Sequence, residues 1–401
     1  MKKANFVEIE GNSAGYLALL GFLGIFILAA LGSTLYMEHH GHHVTGMTNQ
    51  IVWGMPHVFA VFLIVAASGA LNIASISSVF RKAAYKPLAR MSGLLALSLL
   101  IGGLMVLVLD LGRPDRLIVA MTMYNFKSIF AWNMLLYNGF FVIVGVYIWT
   151  MMQRNLNQYS KYAGFAAFTW RLMLTTGTGS IFGFLVARQA YDAAIMAPMF
   201  IVMSFSFGLA IFLLVLLASC NWTDRPLGDL IFNRLKNLLG VFVAGVLFLV
   251  IIKHLTNIYA AEHYAIETFI LMEGGIYTKL FWIGQVLMGS LIPLALIYHP
   301  TWGKSRNMIG LASALIILGG MAQMYVIIVG GQAFPLVLFP GMEVESSFFD
   351  GMVNHYAPTL PEIMLGLGGV ATAMITVALA IKVLRFLPES LADEVIDPHH
   401  K

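Results

Sequence analysis

The sequence predicts an all-α integral membrane protein. It has ten transmembrane helices in two four-helix bundles related by an internal parallel repeat, plus extra flanking helices. Three observations predict this. Hydrophobic residues make up 59% of the 401 residues and charged residues 10%, with a mean hydropathy of +0.84. An ordinary soluble domain is about 45–50% apolar and about 25% charged. Ten apolar runs reach the length of about 20 residues that a membrane helix needs. A short motif then recurs four runs apart, in the same orientation.

The composition excludes a soluble enzyme, a disordered chain and a nucleic-acid-binding protein. The net charge is +4, and the 23 Lys and Arg residues are spread between apolar runs rather than clustered into a basic footprint. Cys220 is the single cysteine. One thiol cannot make an internal disulfide, hold an iron–sulfur cluster alone or attach a c-type haem. If this chain handles electrons, the metal centres sit mostly on other chains.

The runs lie at roughly 14–37, 52–80, 91–109, 129–152, 163–186, 196–220, 237–259, 279–298, 307–330 and 361–386. Met1-Lys2-Lys3 before the first run invites a signal-peptide reading. The run exceeds the usual apolar core of about 7–15 residues, and Glu8 and Glu10 spoil the basic flank. It reads as an uncleaved first span.

Lys and Arg placement sets the orientation. Arg113, Arg116, Lys127, Arg188, Lys253 and Lys279 fall on one side, and Arg171 falls inside a span. The remaining basic residues share the side of the N-terminus. Both termini are therefore expected in the cytoplasm, with the chain in a bacterial or archaeal cytoplasmic membrane. The outer loops are long: Met37 to Ile51, Asp110 to Ser128, Ala260 to Thr278 and Gly331 to Pro361. They place the partner, or the chemistry, outside. Residues 387–401 read as a cytoplasmic tail.

The repeat is Val186-Ala187-Arg188-Gln189-Ala190-Tyr191, echoed as Val329-Gly330-Gly331-Gln332-Ala333-Phe334. Each copy ends an outward-going span, and each aromatic is followed by a methionine, Met199 or Met342, at equal spacing. A fainter echo links Phe130-Ala131-Trp132 to Phe281-Trp282. Either the chain is a single membrane domain with duplicated units at about 52–186 and 196–330, or these short apolar matches are chance.

Several residues could carry chemistry. Arg171 is a charge inside a span, which is expensive and usually functional unless its stem snorkels to the edge. Asp110-Leu111-Gly112-Arg113-Pro114 closes the third span. Asp110 and Arg113 are spaced to pair across one turn, either as a helix terminus or as a proton relay. His57 and His254 lie at equal depths of roughly 8 Å on different spans. They read either as axial ligands of a haem or, separately, as hydrogen-bonding or quinone-binding groups. His39, His40, His42 and His43 form either a metal site or a solvated loop. Asn133 and Tyr137 share a helical face beside Tyr124 and Trp132. That suits a quinone head group, which needs hydrogen bonds and a flat apolar slot, though interhelical polar contacts explain either residue alone.

Asp110-Leu111-Gly112-Arg113-Pro114, followed by Asn125-Phe126-Lys127-Ser128 and Trp132, resembles the polysulfide reductase NrfD/PsrC family. Gly319-Gly320 through Tyr325 to Gln332 is similar to that family's late span. Ten spans, rather than eight, are similar to the DsrP, HmcC and alternative-complex-III branch, and the stretch from Gly331-Gln332 through Ser346-Ser347 to Tyr356-Ala357-Pro358 and Leu387-Pro388 most resembles DsrP of the sulfite-reduction-associated DsrMKJOP complex. The resemblance implies two four-helix bundles plus extra helices and a quinone site near the outer face. It implies no haem, iron–sulfur cluster or other metal in this chain. It also implies a periplasmic ferredoxin-like iron–sulfur partner among several subunits of the complex.

The expected function is a quinone-reactive membrane subunit of a respiratory redox complex in sulfur-compound metabolism, working with menaquinone or ubiquinone. His57, Asn133 and Tyr137 are expected to bind quinone. Asp110 is expected to exchange protons and Arg113 to stabilise it, while Arg171 belongs to a proton path. A haem b cytochrome or a secondary transporter is the alternative. Against the transporter, the repeat places the uncharged Ala314 opposite Arg171.

Overall fold

The computed structural model describes residues 5–336 and 351–396. Lys2, Lys3, Met342, the loop from Glu343 to Asp350 (with Ser346 and Ser347) and residues 397–401 bear on the expectations above and lie outside the described residues. Ten long helices run through the rest. They are α1 (Ala14–His40), α2 (Met55–Ser78), α3 (Ala83–Leu109), α4 (Ile129–Met152) and α5 (Ser160–Gly183), then α6 (Met196–Trp222), α7 (Asp229–Tyr259), α8 (Ile276–Tyr298), α9 (Arg306–Ala333) and α10 (Leu360–Val383).

All but α5 are long and apolar enough to cross a membrane, which makes nine among the described residues. Helix α5 is as long as α4, 24 residues each. It is less apolar because it carries Thr169, Arg171, Thr175, Thr176, Thr178 and Ser180.

Local chemistry starts the helices where the chain turns. The Ser13 side chain accepts from the Tyr16 amide at the head of α1. Thr359 and Glu362 form a reciprocal capping box at the head of α10. Pro56 and Pro361 occupy first-turn positions, where the missing N–H is not needed. Three segments widen into π-helix: Phe269–Glu273 before α8, Leu280–Leu291 within α8 and Val326–Gly330 near the end of α9.

Helices α2, α3, α4 and α5 pack on one another, as do α6, α7, α8 and α9. The two sets meet where α2 and α5 lie against α6. Helix α1 packs on α10, which covers α2 and α3. Burial follows this plan: 89% of the apolar window of α2 is buried inside the protein, against 11% of that of α1, which faces outward. The α2–α6 crossing is close. A Cβ on Gly69 would run into the Ser204 carbonyl, and one on Gly208 into the Gly69–Ala70 backbone. Small residues at such crossings let backbones approach where no hydrophobic force separates helix from lipid.

The two ends of the chain share one face. Strand β1 (Phe6–Val7) pairs antiparallel with β2 (Leu387–Pro388). Arg225 donates to the Leu387 and Pro388 carbonyls, and Arg90 to those of Arg385 and Met151. The opposite face is tied by Arg188, Gln332, Tyr356 and Glu362. Helix α5 follows Met152 on the first face and ends just before Arg188 on the second.

Candidate functional site

The segment from Thr45 to Gly54 carries the chain into α2 and is held from several directions. The Gln332 side chain, from the end of α9, accepts from the Val52 and Trp53 amides at 3.0 and 3.1 Å. It donates to the Trp53 and Ile328 carbonyls at 3.0 and 2.8 Å. Arg188 donates to the Gln332 and Gln50 carbonyls. The Tyr356 hydroxyl accepts from the Met55 amide and donates to Glu362, whose other oxygen accepts from the Gly46 amide. Burial pushes the Arg188 guanidinium down in pKa. Burial, and then the Glu362 carboxylate, push the Tyr356 phenol up, so it stays protonated and able to donate.

This clamp sets the Trp53 indole at the centre of an aromatic group. Its ring stacks on His57 at 6.1 Å and 27°, and contacts Phe130 at 6.1 Å, Phe182 at 5.9 Å and Tyr191 at 6.5 Å. These rings come from α2, α4, α5 and the loop after α5, all at the face opposite the chain ends.

Beneath Trp53, in the first turn of α2, His57 meets Asp110 at the end of α3. Nδ1 lies 3.0 Å from Oδ2, with the imidazole 25% exposed and the carboxylate 1% exposed. The distance is that of an ion pair, but the ring is not aligned for a hydrogen bond. His57 Nδ1 and both Asp110 oxygens have no hydrogen-bond partner among the described residues. A buried carboxylate without donors is costly, so this is a position that a donor from a ligand or water would satisfy.

The expected Asp110–Arg113 pair does not form. Arg113 leaves the helical path at φ −143°, ψ 68°, which breaks the one-turn alignment. It makes a two-pronged contact with Asp115 at 2.9 and 3.0 Å, out in solvent. Each guanidinium and carboxylate there favours the other's charged form, led by their side-chain hydrogen bond. Arg113 therefore cannot stabilise Asp110 directly; His57 is the partner.

Asn133 and Tyr137 face α5 from α4, and both are buried. Asn133 Nδ2 donates to the Ile129 and Gly177 carbonyls, while its Oδ1 is buried without a partner among the described residues. Tyr137 lies within hydrogen-bonding reach of Thr178. Phe130, one turn before Asn133, connects this pair to Trp53 and thence to His57. Tyr124 and Trp132 stand outside this group: Trp132 is exposed and donates to the Phe126 carbonyl.

Arg171 does not snorkel. It is 1% exposed, donates to Asn72 Oδ1 at 3.0 Å and the Ser68 carbonyl at 3.5 Å, and lies 5.0 Å from the Phe168 and Phe205 rings. These contacts lie where α2 is interrupted at Leu71. His57 and His254 share no site, since His254 is hydrogen-bonded to Glu267 in the other helix set. The histidines at the end of α1 diverge: His40 meets the Tyr36 carbonyl, while the His42 ring lies over Gly112.

Trp53, Arg188 and Gln332 are site-building residues that were not assigned from sequence. Arg188 and Gln332 were visible only as the two copies of a repeat. Trp53 lies at the very start of the apolar run 52–80, where nothing sets it apart from its neighbours.

The family model described as polysulphide reductase, NrfD, matches residues 43–336. The chain belongs to the polysulphide reductase NrfD family. The match takes in the Trp53–His57–Asp110 group and both helix sets, and stops short of the packed pair α1 and α10. Among curated relatives, the chain is 29% identical to an Hdr-like menaquinol oxidoreductase integral membrane subunit of Archaeoglobus fulgidus, covering 98% of this chain and 99% of the relative. It is 26% identical to a putative dimethyl sulfoxide reductase membrane subunit of Halobacterium salinarum, covering 92% and 90%. It is also 26% identical to a polysulfide reductase chain of Wolinella succinogenes, covering 71% of this NrfD-family chain and 96% of that one.

Proposed function

We propose that this chain is the quinone-reactive membrane subunit of a respiratory redox complex, with its quinone site at His57 and Asp110. The observation that carries the reading is the buried Asp110 carboxylate. It has no hydrogen-bond donor among the described residues and stands against a partly accessible imidazole that stacks on Trp53. A quinol supplies what this place lacks: hydroxyl donors on a planar ring. The relatives named as menaquinol oxidoreductase and polysulfide reductase subunits support the same reading. Menaquinone is the favoured substrate over ubiquinone on that ground.

A quinol gives up two electrons and two protons when it is oxidised. His57 and Asp110 would receive the protons, His57 being the member that solvent can reach. Trp53 and Phe130 would hold the ring, and Asn133 and Tyr137, further along α4, would take a quinone oxygen. Arg171, between α2 and α5, would line a proton path from the other face. The electrons leave to another chain, because a single cysteine cannot by itself build a cluster. A periplasmic ferredoxin-like iron–sulfur subunit on the outer loops is the proposed acceptor, within a complex of sulfur-compound metabolism.

We read the chain as crossing the membrane ten times, and the same geometry supports that count. The β1–β2 pairing puts both ends on one face, so the number of crossings between them is even. Nine apolar helices are odd in number, and α5 runs from one face to the other. We take α5 as the tenth span, with both ends cytoplasmic by the Lys and Arg bias. The two helix sets then correspond to the duplicated units of a single membrane domain, flanked by α1 and α10.

Asp110→Asn tests the site. It keeps the shape and removes the charge. Quinol-dependent electron transfer in membranes should fall by roughly 10-fold or more, about 1.4 kcal/mol of barrier, with subunit content unchanged. Full turnover in normally assembled membranes would remove Asp110 from the mechanism.

A further inference from the structure

The second helix set holds a buried polar group that the quinone reading does not use. Lys253 and His254 sit near the outer end of α7. Glu267 comes from the short helix Tyr264–Thr268, Gln285 from α8 and Gln323 from α9. Together with apolar side chains they enclose a cavity of about 30 Å³. His254 Nδ1 lies 2.5 Å from Glu267 Oε2, and Asn257 donates to the other Glu267 oxygen at 2.7 Å. The Phe281 ring stands edge-on to the imidazole at 4.7 Å.

Lys253 is the anomaly. It is 8% exposed and lines the cavity, yet its ammonium has no hydrogen-bond acceptor or ion-pair partner among the described residues. A largely buried ammonium with unused donors is disfavoured unless water reaches it. The cavity is lined by five polar side chains among apolar ones and is about the size of one water's share of the liquid. A dry cavity that takes a benzene ring is about 150 Å³. A quinone ring therefore does not fit, and a water does.

The backbone marks the same place. The three π-helical segments of the described chain all contribute to this cavity, through Ile270, Gln285 and the Val326–Ile327 pair. Single-turn π-bulges recur at functional sites, because a widened turn redirects side chains and frees backbone groups. Here two segments of five residues and one of 12 meet at one small cavity that holds five polar side chains.

We propose that Lys253, His254 and Glu267 form a hydrated proton-exchange site, separate from the quinone site and open to the outer side. With a neutral imidazole, the ammonium and carboxylate balance, and water in the cavity accepts from Lys253. A proton arriving from the outer aqueous phase through that water joins the His254–Glu267 pair and leaves by the same route. The titratable groups that face the pair are Lys253 on α7 and the two members themselves. Helices α8 and α9 present the amides of Gln285 and Gln323, and the loop after α5 presents no charge to the cavity.

The test uses the purified intact complex in lipid without added quinone, so its outcome does not depend on the quinone reading. Infrared difference spectra between acidic and alkaline pH should contain carboxyl and imidazole bands. These are expected to disappear together in Glu267→Gln and again in His254→Gln, and to persist in His57→Gln and Asp110→Asn. Lys253→Met should shift the titration of the bands to a different pH. If Glu267→Gln fails to assemble, His254→Gln, which keeps a polar side chain against Glu267, decides alone. Bands that persist in His254→Gln, or that vanish only in Asp110→Asn, would overturn the proposal.

Discussion

Replacing Gln332 with leucine should loosen the proposed quinone site from the far half of the molecule. The side chain makes four hydrogen bonds, three of them to the Val52–Trp53 backbone. They are not equal losses. Val52 is 50% exposed, so its amide regains water. The Ile328 carbonyl keeps its bond from the Tyr191 hydroxyl at 2.6 Å. The Trp53 amide and carbonyl are left, each costing about 1–3 kcal/mol if it stays dry and unpaired. Together that is about 2–6 kcal/mol, enough to shift the segment toward conformations that reach water. Because the cost can be relieved locally, it should appear as a misplaced Trp53 rather than as unfolding. The assay is quinol-dependent turnover against quinol concentration in membranes, with subunit content measured in the same samples. We expect KM to rise roughly 10-fold or more, which corresponds to about 1.4 kcal/mol, with assembly retained. Unchanged KM and turnover in a normally assembled complex would refute the idea that this clamp positions the site.

Two further outcomes follow from the same structure. Arg171→Met removes a buried charge that has no carboxylate partner among the described residues. The lost bond to Asn72 is worth about 1.5–3 kcal/mol, and relief of several kcal/mol of ion desolvation offsets it. Thermal stability of the complex should therefore change little or rise, while turnover falls if α5 carries protons; a collapse in stability would show that the guanidinium is a structural brace. Cysteines introduced at Ala84 and Leu230 should be labelled by a membrane-impermeant thiol reagent only from the cytoplasmic side, against a low background because Cys220 is buried; labelling from outside would invert the topology.

The helices were legible in the sequence because apolar length survives almost any tertiary arrangement. Even α5, whose threonines and Arg171 dilute its hydropathy, stood out by its place between two clear spans. His57 and Asp110 were both recognisable as polar groups at span ends. Their pairing was not, since the spacing from Asp110 to Arg113 offered a local partner and the real one sits on another helix. The Gly112–Pro114 turn, which should end the helix, is also what carries Arg113 away from it. Gln332 appeared as one copy of a repeated motif, but its bonds run to a segment near the other end of the chain, which no local pattern reveals. His254 is legible by its depth and Lys253 only by its side of the membrane. Glu267, the partner of His254, lies in a loop that periodicity treats as featureless.

The central claim is that the quinone ring lies against Trp53 and His57. A photoreactive menaquinone analogue, cross-linked in native membranes and mapped by peptide mass spectrometry, tests it most directly. Labelling should concentrate on the Val52–Phe59 peptide and on the first turns of α4, and excess menaquinone should abolish it. Competable labelling confined to the second helix set, around Lys253 and Gln285, would contradict it.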